Sequence, residues 1–132
     1  MAAQNRPVSP HLQIYRFMWT MALSITHRMT GMFLTIGTIF LVYWLVSIAA
    51  GEAAYATAQG LIVSWPGRLL LFAWTLAFYF HFCNGLRHLF WDAGQGLELS
   101  QARLSGYLAV VAAIILTVVT WVAAYLVDGG AL

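Results

Sequence analysis

The stretch His81-Phe82-Cys83-Asn84-Gly85-Leu86-Arg87-His88-Leu89-Phe90-Trp91-Asp92 closes an apolar run that opens at Leu69. Read as a helix, it places His81, Gly85, His88 and Asp92 on one stripe, at spacings of four, three and four residues, with Asn84 beside it. Ionisable side chains at membrane depth are costly and mark a site by default. A glycine among them lets another group approach the backbone closely. Taken alone, His81 has two readings. It is either a histidine hydrogen-bonded to a neighbouring helix, or a ligand to something buried between helices.

Composition makes this a membrane chain. Of 132 residues, 62% are hydrophobic and only 8% charged, where a soluble domain carries about 25% charged residues. The net charge of +2 comes from six arginines spread along the chain, with no lysine, so it is not a nucleic-acid footprint. Cys83 is the single cysteine, which excludes a disulfide framework and a CxxC metal site. The first twenty residues hold Arg6, Arg16 and two prolines without a compact apolar core. They resemble neither a cleaved signal peptide nor a presequence rich in Arg and Ser. A bacterial inner (cytoplasmic) membrane is the simpler expectation.

The expected fold is all-α: three transmembrane helices in a single anchor domain covering 1–132. Residues 1–20 read as a polar, Pro-broken arm on the membrane surface or on a partner, with His11 a surface or contact histidine. The helical segments are expected over about 24–50, 68–91 and 104–127, each long enough for the roughly 20 apolar residues that cross a bilayer core. The first helix is expected to begin near Thr20, outside the hydrocarbon, and to enter it near Met29. Tyr43 and Trp44 sit near its far end, as interfacial aromatics do. Thr20, Ser24, His27, Arg28, Gly31, Thr35 and Thr38 share one face of it; Gly31, Thr35 and Thr38 alone suit helix packing. Residues 51–66 read as a loop with at most a helical turn, in which Glu52, with Arg68 just beyond, would be a solvated charge. Gly94 and Gly96 stop the second span. The third has no ionisable group beyond Tyr107 and Tyr125 and reads as a packing helix. Arg6, Arg16, Arg28, Arg87 and Arg103 fall on one side and only Arg68 on the other, so the N-terminus is expected in the cytoplasm.

With that topology Ser24, His27 and Arg28 lie at a depth similar to Arg87, His88 and Asp92. His81 lies about 16 Å along the helix from Asp92 at 1.5 Å per residue. A deep neutral imidazole can hold a haem iron through one ring nitrogen. Trp74, Phe78, Phe82 and Cys83 are available to line a pocket, and His27 and Arg28 are candidates for the propionates. His88 is about 10.5 Å from His81 along the axis, far beyond an iron–nitrogen bond of about 2 Å. His27 is expected to lie too shallow to be the second ligand, so a bis-histidine haem needs a histidine from another chain. The shallow shell suits a quinone, whose carbonyl oxygens need donors and access to protons. Each member has a plainer reading: Arg28 a positive-inside anchor, Ser24 a back-bonding serine, Arg87 a headgroup or partner contact, Asp92 an interfacial charge.

Three segments together resemble the cytochrome b subunit of succinate dehydrogenase, the membrane anchor of respiratory complex II. They are Arg6-Pro7-Val8-Ser9-Pro10-His11-Leu12-Gln13-Ile14-Tyr15, Ser24-Ile25-Thr26-His27-Arg28-Met29-Thr30-Gly31, and His81 through Asp92. The resemblance implies a four-chain enzyme: a flavoprotein with FAD, an iron–sulfur protein, and two anchor chains that share one haem b and deliver electrons to ubiquinone. It implies that His81 is an axial ligand of the haem iron, that Ser24 and Arg28 line the ubiquinone site, and that His27 and Arg28 lie by the propionates. FAD and iron–sulfur clusters belong to the partner subunits, and no residue of this chain takes a catalytic role alone. The competing expectations are a cofactor-free membrane dock and the anchor of a fumarate reductase. No nucleic-acid partner is expected.

Overall fold

Helix α3 (Trp65–Asp92) carries two different faces, and they dictate how the other helices pack. Its buried residues Ala77, Phe80, Asn84 and Arg87 follow one helical stripe. They meet α4 (Leu99–Val127), whose buried residues Ala102, Gly106, Ala109, Ala113 and Thr117 form a stripe of small side chains. Small residues let two helix backbones approach closely where lipid removes the hydrophobic drive for association. The His81 stripe lies on another face of α3 and meets α1 (Trp19–Ala50).

A computed structural model describes residues 16–127 of the chain. Of the expected arm over 1–20, residues 1–15, with His11, lie outside the described residues, as does Asp128, and α1 already begins at Trp19. Among the described residues the fold is wholly helical, and α1, α3 and α4 are each long and apolar enough to cross a membrane. α1 runs antiparallel to α3: His27 near its start meets His81 and His88 near the end of α3. α4 turns back again, pairing Tyr79 with Thr120 and Phe72 with Trp121. Leu23 of α1, Phe80 of α3 and Ala113 of α4 form the core where the three helices meet.

The linker after α1 differs from the expected loop. It is a 12-residue helix, α2 (Glu52–Val63), which makes contacts with α1 and α3. Gly51 makes the reversal at φ 108°, a conformation that suits glycine. Glu52 sits in the first turn of α2, where a negative charge complements the helix dipole. Trp44 Nε1 donates to Gln59 Oε1 at 3.3 Å, tying α2 to the end of α1. Arg68 is not the solvated group expected from the sequence: its Nε donates to the Val63 carbonyl at 2.7 Å, closing the end of α2. Ser64 then caps α3 by accepting from Gly67 N at 3.2 Å, with Pro66 in the first turn.

The close approach of α1 to α3 rests on Gly37 as well as Gly31. A Cβ at Gly37 would collide with the Trp74 indole, so the ring occupies the space a side chain would fill. Thr35 and Thr38, expected at a packing face, are exposed within this chain and bond back to the Gly31 and Leu34 carbonyls.

Candidate functional site

The structure gathers three histidines between α1 and α3. The His27 and His81 rings are stacked, with centroids 3.9 Å apart and planes 6° from parallel. His88 lies 5.2 Å from the His27 ring and packs edge-on against Trp91. The expectation that His27 lies too shallow is therefore corrected. α1 begins at Trp19, close to the start expected near Thr20, but the shallow placement counts depth only from Met29. His27 is then about 12 Å inside its helix and His81 about 16 Å inside the antiparallel one, less than a turn apart.

His81 is held by a specific set of atoms. Its Nδ1 lies 3.1 Å from the His27 carbonyl oxygen and 3.2 Å from Thr30 Oγ1. The Thr30 hydroxyl donates to that same carbonyl at 2.8 Å. A carbonyl only accepts, so the contact at Nδ1 is a hydrogen bond only if that nitrogen carries the proton. The lone pair then sits on Nε2. Gly31 makes room for the ring, since a Cβ there would lie 3.1 Å from His81 Cε1. Gly85 faces His27 in the same way, at an ordinary contact distance of 4.0 Å from its Cε1.

Two stacked imidazoles cannot both ligate one haem iron. Each nitrogen lone pair lies in its own ring plane, and these planes are nearly parallel, so an ion between the rings would meet only π faces. Trans ligation needs two rings pointing at each other across the metal. Among the described residues, no three His, Cys, Asp or Glu side chains form a metal-binding group either. On His81, with Nδ1 committed to the carbonyl, the nitrogen left for a metal is Nε2.

Ser24 is half-buried and Arg28 exposed on the neighbouring part of α1, one turn apart. They lie at the end of the bundle that also carries the start of α4 and the end of α3. His27 Nδ1 is buried without a hydrogen-bond partner among the described residues. Asp92 is exposed at the end of α3.

A family model described as succinate dehydrogenase/fumarate reductase transmembrane subunit matches residues 2–120. The chain is 40% identical over 116 residues to the succinate dehydrogenase cytochrome b556 subunit of Paracoccus denitrificans, covering 88% of this chain and 89% of that one. It is 38% identical over 118 residues to the cytochrome b556 subunit of Rickettsia felis, covering 89% and 92%. The mitochondrial cytochrome b560 subunit of Mus musculus is 35% identical over 115 residues, covering 86% of this chain and 68% of its own. The chain belongs to the succinate dehydrogenase/fumarate reductase transmembrane-subunit family. These relatives are subunits of a quinone oxidoreductase, so a member of this family acts as part of an enzyme complex.

Within that family member, several side chains stand elsewhere than the sequence suggests. Trp74 packs on Gly37 rather than around His81. Cys83 lies on the opposite side of α3, lining a cavity of about 440 Å³ between α3 and α4 with Arg87 and Ser105. Arg87 is no headgroup contact; it is 6% exposed and bonds to Ser105, Asn84 and the Ala102 carbonyl. Thr30, which sequence reasoning passed over, touches the His81 ring. Its signal was its place three residues after His27, on the turn facing the same partner helix.

Proposed function

We propose that this chain is the cytochrome b anchor of a bacterial succinate:ubiquinone oxidoreductase, set in the inner membrane as one domain with its N-terminus cytoplasmic. In this reading it docks the flavoprotein and iron–sulfur subunits, shares a haem b with a second anchor chain and helps form the ubiquinone-reduction site. The observation that carries it is the His81 ring. A metal-ligating histidine characteristically donates its other ring N–H to a carbonyl, carboxylate or water, which fixes the tautomer and raises ligand basicity. His81 has that arrangement on the His27 carbonyl, leaving Nε2 to an iron. The residues therefore fit the group. His81 would supply one axial bond and His27 and Arg28 would hold the propionates; the unpartnered Nδ1 of His27 suits a group the chain does not supply. The opposite axial ligand would come from the second anchor chain, because the His27 ring is stacked on His81 rather than facing it. A b-type haem, once bound, supplies one-electron storage.

The ubiquinone half rests on Ser24 and Arg28. Reducing ubiquinone to ubiquinol takes two electrons, delivered from the iron–sulfur subunit, and two protons. Negative charge builds on the carbonyl oxygens as electrons arrive before protons. A guanidinium donor stabilises that charge most, and the serine hydroxyl orients the ring by a neutral hydrogen bond. FAD and the clusters stay in the partner subunits.

Two measurements test the reading on the purified complex. Reduced-minus-oxidised absorption spectra should show a b-type haem; a complex active with quinone but without that band would leave a dock that holds no haem. Arg28→Leu should impair quinone reduction while succinate oxidation by an artificial dye is much less affected. Losing one charge-assisted donor costs on the order of 1.5–3 kcal/mol. Normal quinone kinetics in an assembled Arg28→Leu complex would remove Arg28 from the site.

A further inference from the structure

We infer that Thr30 is a positioning residue for His81, fixing the ring's tautomer and rotation from the opposite helix and thereby setting the redox potential of the iron His81 binds. The inference rests on the proposed ligation by His81 and adds a residue from α1 to it.

Thr30 differs from four other threonines on these helices, and from Thr120, whose hydroxyl meets Tyr79. Thr35, Thr38, Thr75 and Thr117 bond back to the carbonyl four residues earlier and to nothing else shown. That is an ordinary way for a helical threonine to satisfy its hydroxyl. Thr30 instead bonds three residues back, to the His27 carbonyl, and the same oxygen receives the His81 ring nitrogen. Its own oxygen lies 3.2 Å from that nitrogen. The Thr30 proton is committed to the carbonyl, so the lone pairs of Oγ1 are what face Nδ1–H. Three groups thus close a small ring of hydrogen bonds: hydroxyl to carbonyl, Nδ1–H to carbonyl, and Nδ1–H shared with the hydroxyl oxygen.

This ring of contacts does two things. It makes the opposite tautomer unfavourable, since a bare Nδ1 would face the carbonyl lone pairs. It also opposes rotation about the Cβ–Cγ bond, because turning the ring breaks both acceptors at once while the His27 ring lies stacked on its face. Donation from Nδ1–H to two acceptors makes Nε2 a stronger base, which favours ferric over ferrous iron. Removing one acceptor should therefore weaken ferric binding selectively and raise the potential.

The test is a redox titration of the haem in the assembled complex, comparing Thr30→Val, Thr30→Ser and the parent, with His81→Leu as control. Outer-shell changes at metal sites typically cost about 10–100-fold. A tenfold selective loss of ferric binding corresponds to a rise of about 59 mV in a one-electron potential. Thr30→Val, which keeps the shape and removes the hydroxyl, should give at least that rise. Thr30→Ser, which keeps the hydroxyl, should return to the parent value. If Thr30→Val does not assemble, Thr30→Ala against Thr30→Ser carries the same comparison. A potential unchanged in the variant without a hydroxyl, or shifted equally in Thr30→Ser, overturns the inference. An unchanged haem spectrum in His81→Leu would instead overturn the ligation on which it rests, so the two failures are distinguishable.

Discussion

In a complex carrying His81→Leu, the reduced haem spectrum is lost or markedly shifted, whereas His88→Leu leaves axial ligation intact. Leucine keeps the apolar volume facing α1 but has no lone pair, so the change removes the bond and little else. His88 cannot take over. It lies about 10.5 Å further along the same helix, with its ring against Trp91 and His27. His27 cannot take over without leaving its stacked position, since its lone pairs lie in a plane parallel to the missing ring. A buried imidazole bare of partners would carry a penalty. In this fold Nδ1 is already satisfied by the His27 carbonyl, so the chain itself leaves only Nε2 for a ligand. A six-coordinate low-spin spectrum unchanged by His81→Leu would mean that other chains supply both axial ligands. The haem would then have to be placed away from the histidine cluster.

The three spans were legible because hydropathy over some 20 residues is a strong signal and lipid forces the backbone into helices. Helix α2 was not legible in this way. Its sequence, Glu52 to Val63, is too short to span and mixes small residues with a glycine and a glutamine. It is held by contacts such as Trp44 to Gln59, which no local pattern announces. The His81 stripe was readable from spacing, and the structure turns His81, Gly85 and His88 toward His27 of α1, with Asp92 exposed beyond them. What spacing could not give was the relative height of α1 and α3. α1 starts at Trp19, close to the start expected near Thr20, but the height of His27 against His81 depends on how the two helices pack. That packing sets the His27 ring on the His81 ring. Thr30 was invisible for the same reason, because its partner is a side chain on another helix. The one-third-turn offset of Arg87 from the His81 stripe was visible. Its meaning was not, because polar Asn84 and Arg87 do not look like the continuation of the packing stripe begun by Ala77 and Phe80.

Arg87 is the residue whose loss should most weaken the helix bundle itself. Its Nε donates to Ser105 Oγ at 2.9 Å, Nη1 to Asn84 Oδ1 at 3.1 Å and Nη2 to the Ala102 carbonyl at 2.8 Å. The guanidinium also lies 4.0 Å over the Trp91 ring, a cation–π contact that gains strength when desolvated. One side chain thus ties α3 to the first turns of α4, beside the small-residue stripe that holds the two helices close. Arg87→Leu would leave Asn84 Oδ1 without its donor in a site where water is scarce, while the Ala102 carbonyl keeps the Ser105 hydroxyl at 3.3 Å. Asn84 is fully buried and its Nδ2 already lacks a partner, so it has no spare bond to fall back on. Each orphaned buried group costs about 1–3 kcal/mol. Arg87→Leu should therefore lower the thermal midpoint of the detergent-solubilised complex, or its yield on purification, far more than Arg103→Leu at an exposed position. Arg87→Lys should fall between them, because an ammonium can reach one or two of these acceptors but not the whole fork. Lysine also keeps the positive charge. If Arg87 served only as a charge at the membrane surface, Arg87→Lys would match the parent and Arg87→Leu would resemble Arg103→Leu. That pattern would show that the three hydrogen bonds do not hold α3 to α4.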